Sequence, residues 1–367
     1  MISKENREKY NKYFSQPEIT FDAHVENKKV ELEAEIRGKY KIYLDLKFWI
    51  KFRDVELGRS EDECITQLLN RIKHLVDENI SVCPISEPIF LELMKQSDPT
   101  TRNATAKLID ELSLGITSIG FQERVKLEFR NYYYTKAGVT GISPLKPLVW
   151  TRAALVLGVP LLSISSIEDS QELLIIKKMF FDDLWKTPLI DVIKNIGFED
   201  QNPEDWQKEA DKINLDYEEN SAEINSFKQS FKHEFIGGLS LFKEYIEKLF
   251  RRIYLAGYED IMTYNDELSA NEKFEDFTRS IYSLHIQANC FAVVRWDKKR
   301  KLTGNDLLDF QHAGTALQTC NLFLTEKPLK SLLQQKNLGF SELYLCKIAS
   351  SAQEALDILE EEIEEYV

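Results

Sequence analysis

The segment 304–326 restricts the possible folds of this chain more than any other stretch, because it joins a helix pattern to a strand pattern. Its sequence is GNDLLDFQHAGTALQTCNLFLTE. Small residues around Gly314 would let a helix approach a sheet closely, and the apolar run 321–324 has the length of a short buried strand. This strand leads into Thr325 and Glu326. We therefore predict a helix packed on a sheet, followed by a strand whose carboxyl end carries an acid.

A second strand pattern lies at 39–50, where the sequence is KYKIYLDLKFWI. Tyr40, Ile42 and Leu44 occupy alternate positions, and Asp45 follows directly. A strand that ends in an acid and then breaks is typical of the carboxyl edge of an open α/β sheet, where ligands bind. The alternative, that Asp45 only caps a helix or a turn, has comparable support from the sequence.

Further patterns place three more strands at 80–84, 116–119 and 344–348, with helices between them. The stretch from about 148 to 290 is mainly helical in pattern. The segments 150–157 and 274–294 are among its predicted helices. We therefore expect an α/β protein with a mainly parallel central sheet and a mainly helical insertion.

Glu92 is a further candidate acid. The helix pattern at 86–96, SEPIFLELMKQ, begins with Ser86 as a plausible N-cap and has Pro88 in its first turn. Glu92 falls among apolar neighbours, which favours a buried and paired carboxylate. A solvated glutamate on the helix surface is the alternative.

The helix predicted from 304 carries two aspartates and a histidine. Asp306, Asp309 and His312 follow one another at intervals of three residues, so neighbouring pairs lie on one side of the helix. Asp306 has an alternative role, because Thr303 as N-cap would place it at the third position of a capping box. For His312 the alternative is a hydrogen-bonded helix histidine without a function.

Several acids that converge on one sheet edge would repel each other strongly without a cation. Oxygen ligands of this kind suit Mg²⁺ or Mn²⁺, which activate water and stabilise the charge on a phosphate during hydrolysis. The sequence therefore predicts a metal site. Its candidate ligands are Asp45, Glu92, Asp306, Asp309 and Glu326.

The formal net charge of −14 argues against a protein coated for non-specific nucleic-acid binding. A local basic run nevertheless stands out just before the acidic helix. We expect it to contact phosphates, with an exposed lysine-rich loop as the alternative. The candidate nucleic-acid-binding residues are Arg295, Lys298, Lys299, Arg300, Lys301 and His312.

The five cysteines are dispersed and form no CxxC pair, which predicts reduced thiols in a cytoplasmic protein. The first residues, MISKENREKYNKYF, contain no apolar run of the kind found in a signal peptide. No stretch reaches 18 apolar residues, so we expect no membrane-spanning helix and no membrane partner.

These motifs resemble those of the PIN-like domain family. Asp309 precedes the Thr-Ala-Leu sequence at 315–317 on one helix, and Glu326 matches the acid after the strand threonine. Asp45 matches the first aspartate of the family, and Glu92 matches the glutamate of its S-x5-E-L pattern. The four acids also follow one another in the family order.

The resemblance implies a three-layer α/β/α fold and a nuclease that depends on Mg²⁺ or Mn²⁺ and acts on RNA more often than on DNA. It implies catalytic roles for Asp45, Glu92, Asp309 and Glu326. The DxxDxxH spacing that starts at Asp306 is similar to that of PIN-like proteins found near bacterial defence and toxin genes, which suggests an endoribonuclease effector. Family members often dimerise, so a homodimer is also expected.

The resemblance divides the chain into five segments: an N-terminal extension (1–38), two halves of the PIN-like domain (39–120 and 285–350), a helical insertion (121–284) and a C-terminal helix (351–367). The insertion departs from the family pattern, and so does the glutamate in place of the usual final aspartate. The alternative function is a catalytically silent PIN-like scaffold that binds a protein partner or inhibitor through the insertion.

Overall fold

The computed structural model describes residues 4–141, 143–160, 170–195, 203–257 and 271–366. This part of the chain is mostly helical and contains two small sheets. The strands are β1 (Tyr40–Leu44), β2 (Ser81–Val82), β3 (Ile116–Ser118), β4 (Trp150–Arg152), β5 (Leu322–Leu324) and β6 (Lys347–Ala349).

The α-helices surround these strands and are numbered along the described residues. They are α1 (Lys4–Phe14), α2 (Phe21–Ile36), α3 (Leu46–Glu56), α4 (Glu63–Asp77), α5 (Glu87–Met94), α6 (Pro99–Ser113), α7 (Phe121–Lys136), α8 (Leu145–Leu148), α9 (Ser170–Trp185), α10 (Leu189–Asn195), α11 (Pro203–Glu219), α12 (Phe227–Ser240), α13 (Lys243–Leu255), α14 (Asn271–Ser280), α15 (Tyr282–Trp296), α16 (Gly304–Thr319), α17 (Lys327–Leu333), α18 (Phe340–Leu343) and α19 (Ala352–Glu362).

The main sheet has four parallel strands in the order β2, β1, β5, β6. β1 and β5 are central, and Leu44 of β1 pairs with Leu324 of β5. From this central pair, β2 lies beyond β1 and β6 lies beyond β5, so the chain winds away in two directions. The gap between the ends of β1 and β5 is therefore a topological switch point, where open α/β sheets hold their ligands. The predicted α/β class with a parallel sheet is confirmed.

Local sequence explains the central strands and the helix that leads into β5. Tyr40–Leu44 is an almost continuous apolar run that is nearly all buried, as expected for a parallel strand covered on both faces. α16 begins at a capping box, in which the Thr303 hydroxyl accepts from the main-chain N–H of Asp306. This cap gives the acidic helix a defined start at Gly304, five residues before Asp309.

β3 confirms the strand predicted at 116–119, whereas β4 replaces part of a predicted helix. β3 and β4 form a separate antiparallel pair, in which Thr117 lies opposite Thr151. The helix predicted at 150–157 is wrong, because its first residues form β4 and only the 3₁₀ turn Ala153–Leu155 follows. The apolar pattern there is satisfied by pairing with β3, which a local helix pattern cannot reveal.

The helix predicted at 274–294 is divided into α14 and α15 at Ile281, whose backbone is not helical. The strand predicted at 344–348 begins only at Lys347. Both differences concern element boundaries, which depend on tertiary contacts more than on local pattern.

Two hydrophobic cores organise the described residues. The larger core surrounds the main sheet, and its members range from Leu32 through Trp49 and Leu189 to Ile363. The smaller core joins α7 and α12–α15 through aromatic residues such as Phe129 and Phe235. The larger core thus draws on chain segments from both sides of the helical insertion.

All five cysteines are free thiols, and four of them are buried. Within the described residues, no helix has the length and apolar character needed to span a membrane.

Candidate functional site

The sheet brings residues that are distant in sequence to one edge. Asp45 follows β1 directly, and its main-chain N–H donates to the carbonyl of Leu324 at 3.0 Å. Thr325 and Glu326 follow β5 at the same edge. The two central strands therefore deliver Asp45 and Thr325 side by side at the switch point.

Asp45 is buried at the start of α3 but does not cap it with its side chain. Its main-chain carbonyl accepts the helical hydrogen bond from Phe48 at 3.1 Å, whereas its Oδ1 has no hydrogen-bond partner among the described residues. Burial raises the pKa of Asp45 to about 6, although His312 and Thr325 act in the opposite direction. Asp45 is therefore the N-cap residue of α3 by position, as the alternative had it, but it makes no side-chain capping hydrogen bond, and one carboxylate oxygen is left without a partner.

Asp309 lies on α16 and is partly buried. Burial is the largest cause of the rise in the pKa of its carboxyl to about 7; the carboxylates of Glu92 and Asp45 also raise this pKa, whereas His312 lowers it. Asp45, Glu92 and Asp309 therefore share one electrostatic environment. They come from three separate elements: the end of β1, α5 and α16.

His312 connects this environment to the sheet. Its Nε2 lies 3.1 Å from Oε2 of Glu92, and its Nδ1 lies 2.7 Å from the hydroxyl of Tyr43. The Tyr43 hydroxyl is hydrogen-bonded in turn to Ser86. Burial lowers the pKa of His312, but Glu92, Asp309 and Asp45 outweigh this effect, so its pKa is raised.

An imidazolium with both nitrogens protonated would donate to Glu92 and to Tyr43, and Tyr43 would donate to Ser86. The side chain of His312 is only 1% exposed. It is therefore placed to orient Glu92 and to offset the carboxylate charges, and the predicted contact of His312 with nucleic acid is not available in this structure.

Asp306 has partners of its own. One carboxylate oxygen accepts from the main-chain N–H and the hydroxyl of Thr303 at 2.8 Å, and the other accepts from Arg300 at 2.5 Å. The capping-box alternative for Asp306 is confirmed. Since both of its oxygens are engaged, Asp306 has little capacity left to bind a metal ion.

Glu326 lies at the start of α17, and its side chain is half exposed. It pairs with Lys47 of α3 at 3.1 Å. Glu326 therefore stands at the rim of the switch point, where Lys47 offsets its charge, rather than among the buried carboxylates. Lys47 and Tyr43 are site residues that the sequence analysis missed, although both flank Asp45 by two positions.

The predicted nucleic-acid-binding residues do not form one surface. Arg295 is 3% exposed at its side chain and pairs with Glu234 at 2.9 Å and with Asp216 at 3.2 Å. Its guanidinium also covers the ring of Tyr217. The expectation that Arg295 contacts phosphates is therefore corrected, because its charge is used inside the protein.

Most of the other residues of the basic run form ion pairs or hydrogen bonds within the protein. Lys301 pairs with Glu218, and Lys298 donates to the carbonyl of Ser221. Lys299 is exposed. Arg300 is committed to Asp306, so the surface charge of this run is smaller than its sequence indicates.

Helix α11 holds the start of α16. Gln207 accepts from the main-chain N–H of Gly304 at 3.0 Å, and Asn214 exchanges two hydrogen bonds with the main chain of Leu302. The two helices approach so closely that a Cβ at Gly304 would lie 2.9 Å from the main-chain nitrogen of Gln207. Trp206 also stacks under Lys95, which lies just beyond α5. α11 therefore bridges two of the three elements that carry the carboxylates.

A divalent cation requires several oxygen donors close to one point. Among the described residues, no three His, Cys, Asp or Glu side chains are grouped closely enough to hold one metal ion. The donor chemistry does fit a hard cation, because carboxylate oxygens predominate and Oδ1 of Asp45 lacks a partner. The hydrogen bond from His312 to Glu92 would also fix the orientation of Glu92, as hydrogen bonds to ligating carboxylates do in metal sites.

A large cleft of about 1200 Å³ lies elsewhere, between α7, α11, α12, α13, α15 and α16. None of the three carboxylates lines it. The carboxylates and the largest described cleft are therefore separate sites. The carboxylates are the candidate functional site, because their charges affect one another. Comparison with protein families, curated proteins and solved structures found no match for this chain.

Proposed function

We propose that the protein is a metal-dependent nuclease that hydrolyses phosphodiester bonds, with RNA favoured over DNA as its substrate. The observation that carries this proposal is the electrostatic coupling of Asp45, at the switch point of the parallel sheet, with Glu92 of α5 and Asp309 of α16. Burial and mutual repulsion raise the pKa of Asp45 and of Asp309, and carboxylates with a raised pKa are typical of sites that hold a cation or perform proton transfer.

A PIN-like three-layer arrangement is part of the proposal. The central placement of β1 beside β5, with an acid after each, supports this arrangement. Asp309 lies on the helix that precedes β5, as in the family pattern that the sequence resembles.

In this mechanism Asp45, Glu92 and Asp309 would hold Mg²⁺ or Mn²⁺, with Glu326 at the rim. The bound ion supplies an activated water and stabilises the charge that develops on the phosphate. His312 orients Glu92 through Nε2 and is itself fixed by Tyr43. Asp306 contributes indirectly, because it secures the start of the helix that carries Asp309.

The test is RNA cleavage in Mn²⁺ by the wild type and by Asp309→Asn. We expect the variant to lose at least about 100-fold in rate, because an amide is a poor substitute for a charged metal ligand. Asp77→Asn is the matched control, since Asp77 is an exposed acid at the end of α4. Cleavage by Asp309→Asn at the wild-type rate would overturn this site assignment.

A catalytically silent scaffold is the second candidate function. The large cleft favours it, because an exposed apolar residue lines the cleft: Leu241 is 80% exposed. Such residues are common where a protein partner binds. Thermal melting with Mn²⁺ separates the two functions, since a cation that binds only the folded state raises the melting temperature. A shift that Asp309→Asn abolishes supports the nuclease, and no shift in the wild type supports the scaffold.

A further inference from the structure

A second, smaller pocket of about 400 Å³ lies between α12, α14, α15 and the segment 336–343. It shares no lining residue with the carboxylate site. Its volume is within the range of roughly 300–1,000 Å³ that small-molecule sites occupy. Buried polar groups, aromatic rings and cations all contribute to its lining.

The polar part of the lining is formed by His285 and Asn289, one turn apart on α15 and both buried. Nδ2 of Asn289 donates to the main-chain carbonyl of His285 at 2.9 Å and lies 3.3 Å from its ring Nε2. The carbonyl is only an acceptor, so this contact determines which way the Asn289 amide faces. His285 Nδ1 lies 3.2 Å from the hydroxyl of Tyr344.

This arrangement leaves one acceptor free. Oδ1 of Asn289 receives no hydrogen bond from any described residue, although the side chain is buried. Burial lowers the pKa of His285 to about 4, so the ring is neutral and adds no charge to the pocket. An amide oxygen only accepts hydrogen bonds, so Oδ1 of Asn289 is available to an N–H group of a ligand in the pocket.

Aromatic rings form a wall beside these polar groups. Phe231 is partly exposed and meets the ring of His285 edge-on at 5.4 Å, and it meets Phe274 at 6.3 Å. A flat heterocycle entering the pocket would find ring faces and edges to pack against.

The rim is basic in a strongly acidic chain. Two acids, Glu275 and Glu342, also line the pocket, and Glu275 pairs with Lys228 of the same lining at 3.0 Å. The four cations of the lining are Lys228, Lys232, Arg279 and Lys336. Cations therefore outnumber acids here, whereas the whole chain carries a net charge of −14. An anionic group on the ligand would lie within this positive region.

We propose that this pocket binds a nucleoside phosphate whose base carries an exocyclic amino group. The amino group donates to Oδ1 of Asn289, the base packs beside Phe231, and the phosphate lies at the rim near Lys336. The proposal does not depend on the nuclease activity, because it uses none of the residues of the carboxylate site.

The experiment is calorimetric titration of the full chain with AMP, IMP, adenosine and inorganic phosphate. IMP has a carbonyl where AMP has an amino group, so it presents an acceptor to Oδ1 of Asn289. We expect AMP to bind with a Kd below 1 mM and about tenfold more tightly than IMP, because the acceptor would be left without a donor. Adenosine and phosphate are each expected to bind more weakly than AMP. Equal affinity for AMP and IMP, or no binding of AMP below 1 mM, would overturn the proposal.

Two variants locate the site. Asn289→Ala is expected to remove the preference for AMP over IMP, and Lys336→Ala to weaken AMP at least about threefold through the lost phosphate contact. Lys336 is exposed, so its variant tests the pocket even where Asn289→Ala unfolds. Lys107→Ala, an exposed lysine of α6, is the matched control and retains wild-type affinity. Unchanged AMP binding by Lys336→Ala would contradict the assigned position of the phosphate and with it the proposal.

Discussion

Asp309 gives the sharpest test, because the same carboxylate that the proposed site needs should destabilise the metal-free fold. Burial first, and then Glu92 and Asp45, raise the pKa of Asp309 from its ordinary value of 3.8 to about 7. The folded state therefore binds this proton more tightly than the unfolded state. As the pH rises from about 4 to about 7, the free energy of unfolding falls, and the loss is complete above that range.

The magnitude follows from the pKa difference. Each tenfold change in proton affinity corresponds to about 1.4 kcal/mol, so the charged Asp309 destabilises the folded state by at most about 4 kcal/mol at pH 8. Only part of this loss has occurred at pH 5. Asp309→Asn removes the titrating group. The free energy of unfolding of the variant, relative to that of the wild type, should therefore increase by about 2–3 kcal/mol from pH 5 to pH 8.

The assay is urea unfolding of both proteins with EDTA at the two pH values, followed by the same measurement with Mn²⁺. Excess Mn²⁺ should stabilise the wild type and leave Asp309→Asn nearly unchanged, because the ion binds the folded carboxylates. Asp77→Asn should follow the wild type throughout, since Asp77 is exposed. If the difference between Asp309→Asn and the wild type does not change with pH, the argument for a strained carboxylate cluster is refuted.

Three further substitutions test other parts of the structure. His312→Phe should lower Mn²⁺-dependent cleavage by about 10–100-fold, because it removes the group that orients a proposed metal ligand; a rate within threefold of wild type would contradict this role. Arg295→Met should lower the free energy of unfolding by about 3 kcal/mol, since it leaves two carboxylates without their partner. The salt dependence of RNA binding should stay unchanged. A weaker salt dependence in the variant would show that Arg295 contacts phosphate. Gly304→Ala should cost about 1–3 kcal/mol in urea unfolding, because its Cβ would meet the main chain of α11, whereas Gly237→Ala, in open space on α12, should stabilise by about 0.5–1 kcal/mol. Equal effects of the two glycine variants would argue against close packing of α11 on α16.

Sequence patterns located the acids but not their partners. The strand before Asp45, the capping box at Asp306 and the helix that carries Asp309 all depend on residues within one or two turns, so local pattern predicted them correctly. The helix predicted at 150–157 was wrong for the opposite reason, because β4 exists through its pairing with β3. A local window contains no information about that pairing.

The basic run shows the same limit for charge. Arg295 looked like a surface cation in sequence, but Asp216 and Glu234, more than 60 positions away along the chain, bury and neutralise it. Its charge therefore stabilises the fold, and only the folded arrangement of α11, α12 and α15 determines this.

By itself the sequence determined that acids would follow two parallel strands and stand on one capped helix, because strand alternation and helix capping are short-range properties. Tertiary structure alone decided which acids meet. It buried Asp45 with an orphaned oxygen, linked Glu92 to His312 and Tyr43, and turned Glu326 outward to Lys47. The physical reason is that burial and charge coupling depend on distances between elements, and the order of the strands sets those distances.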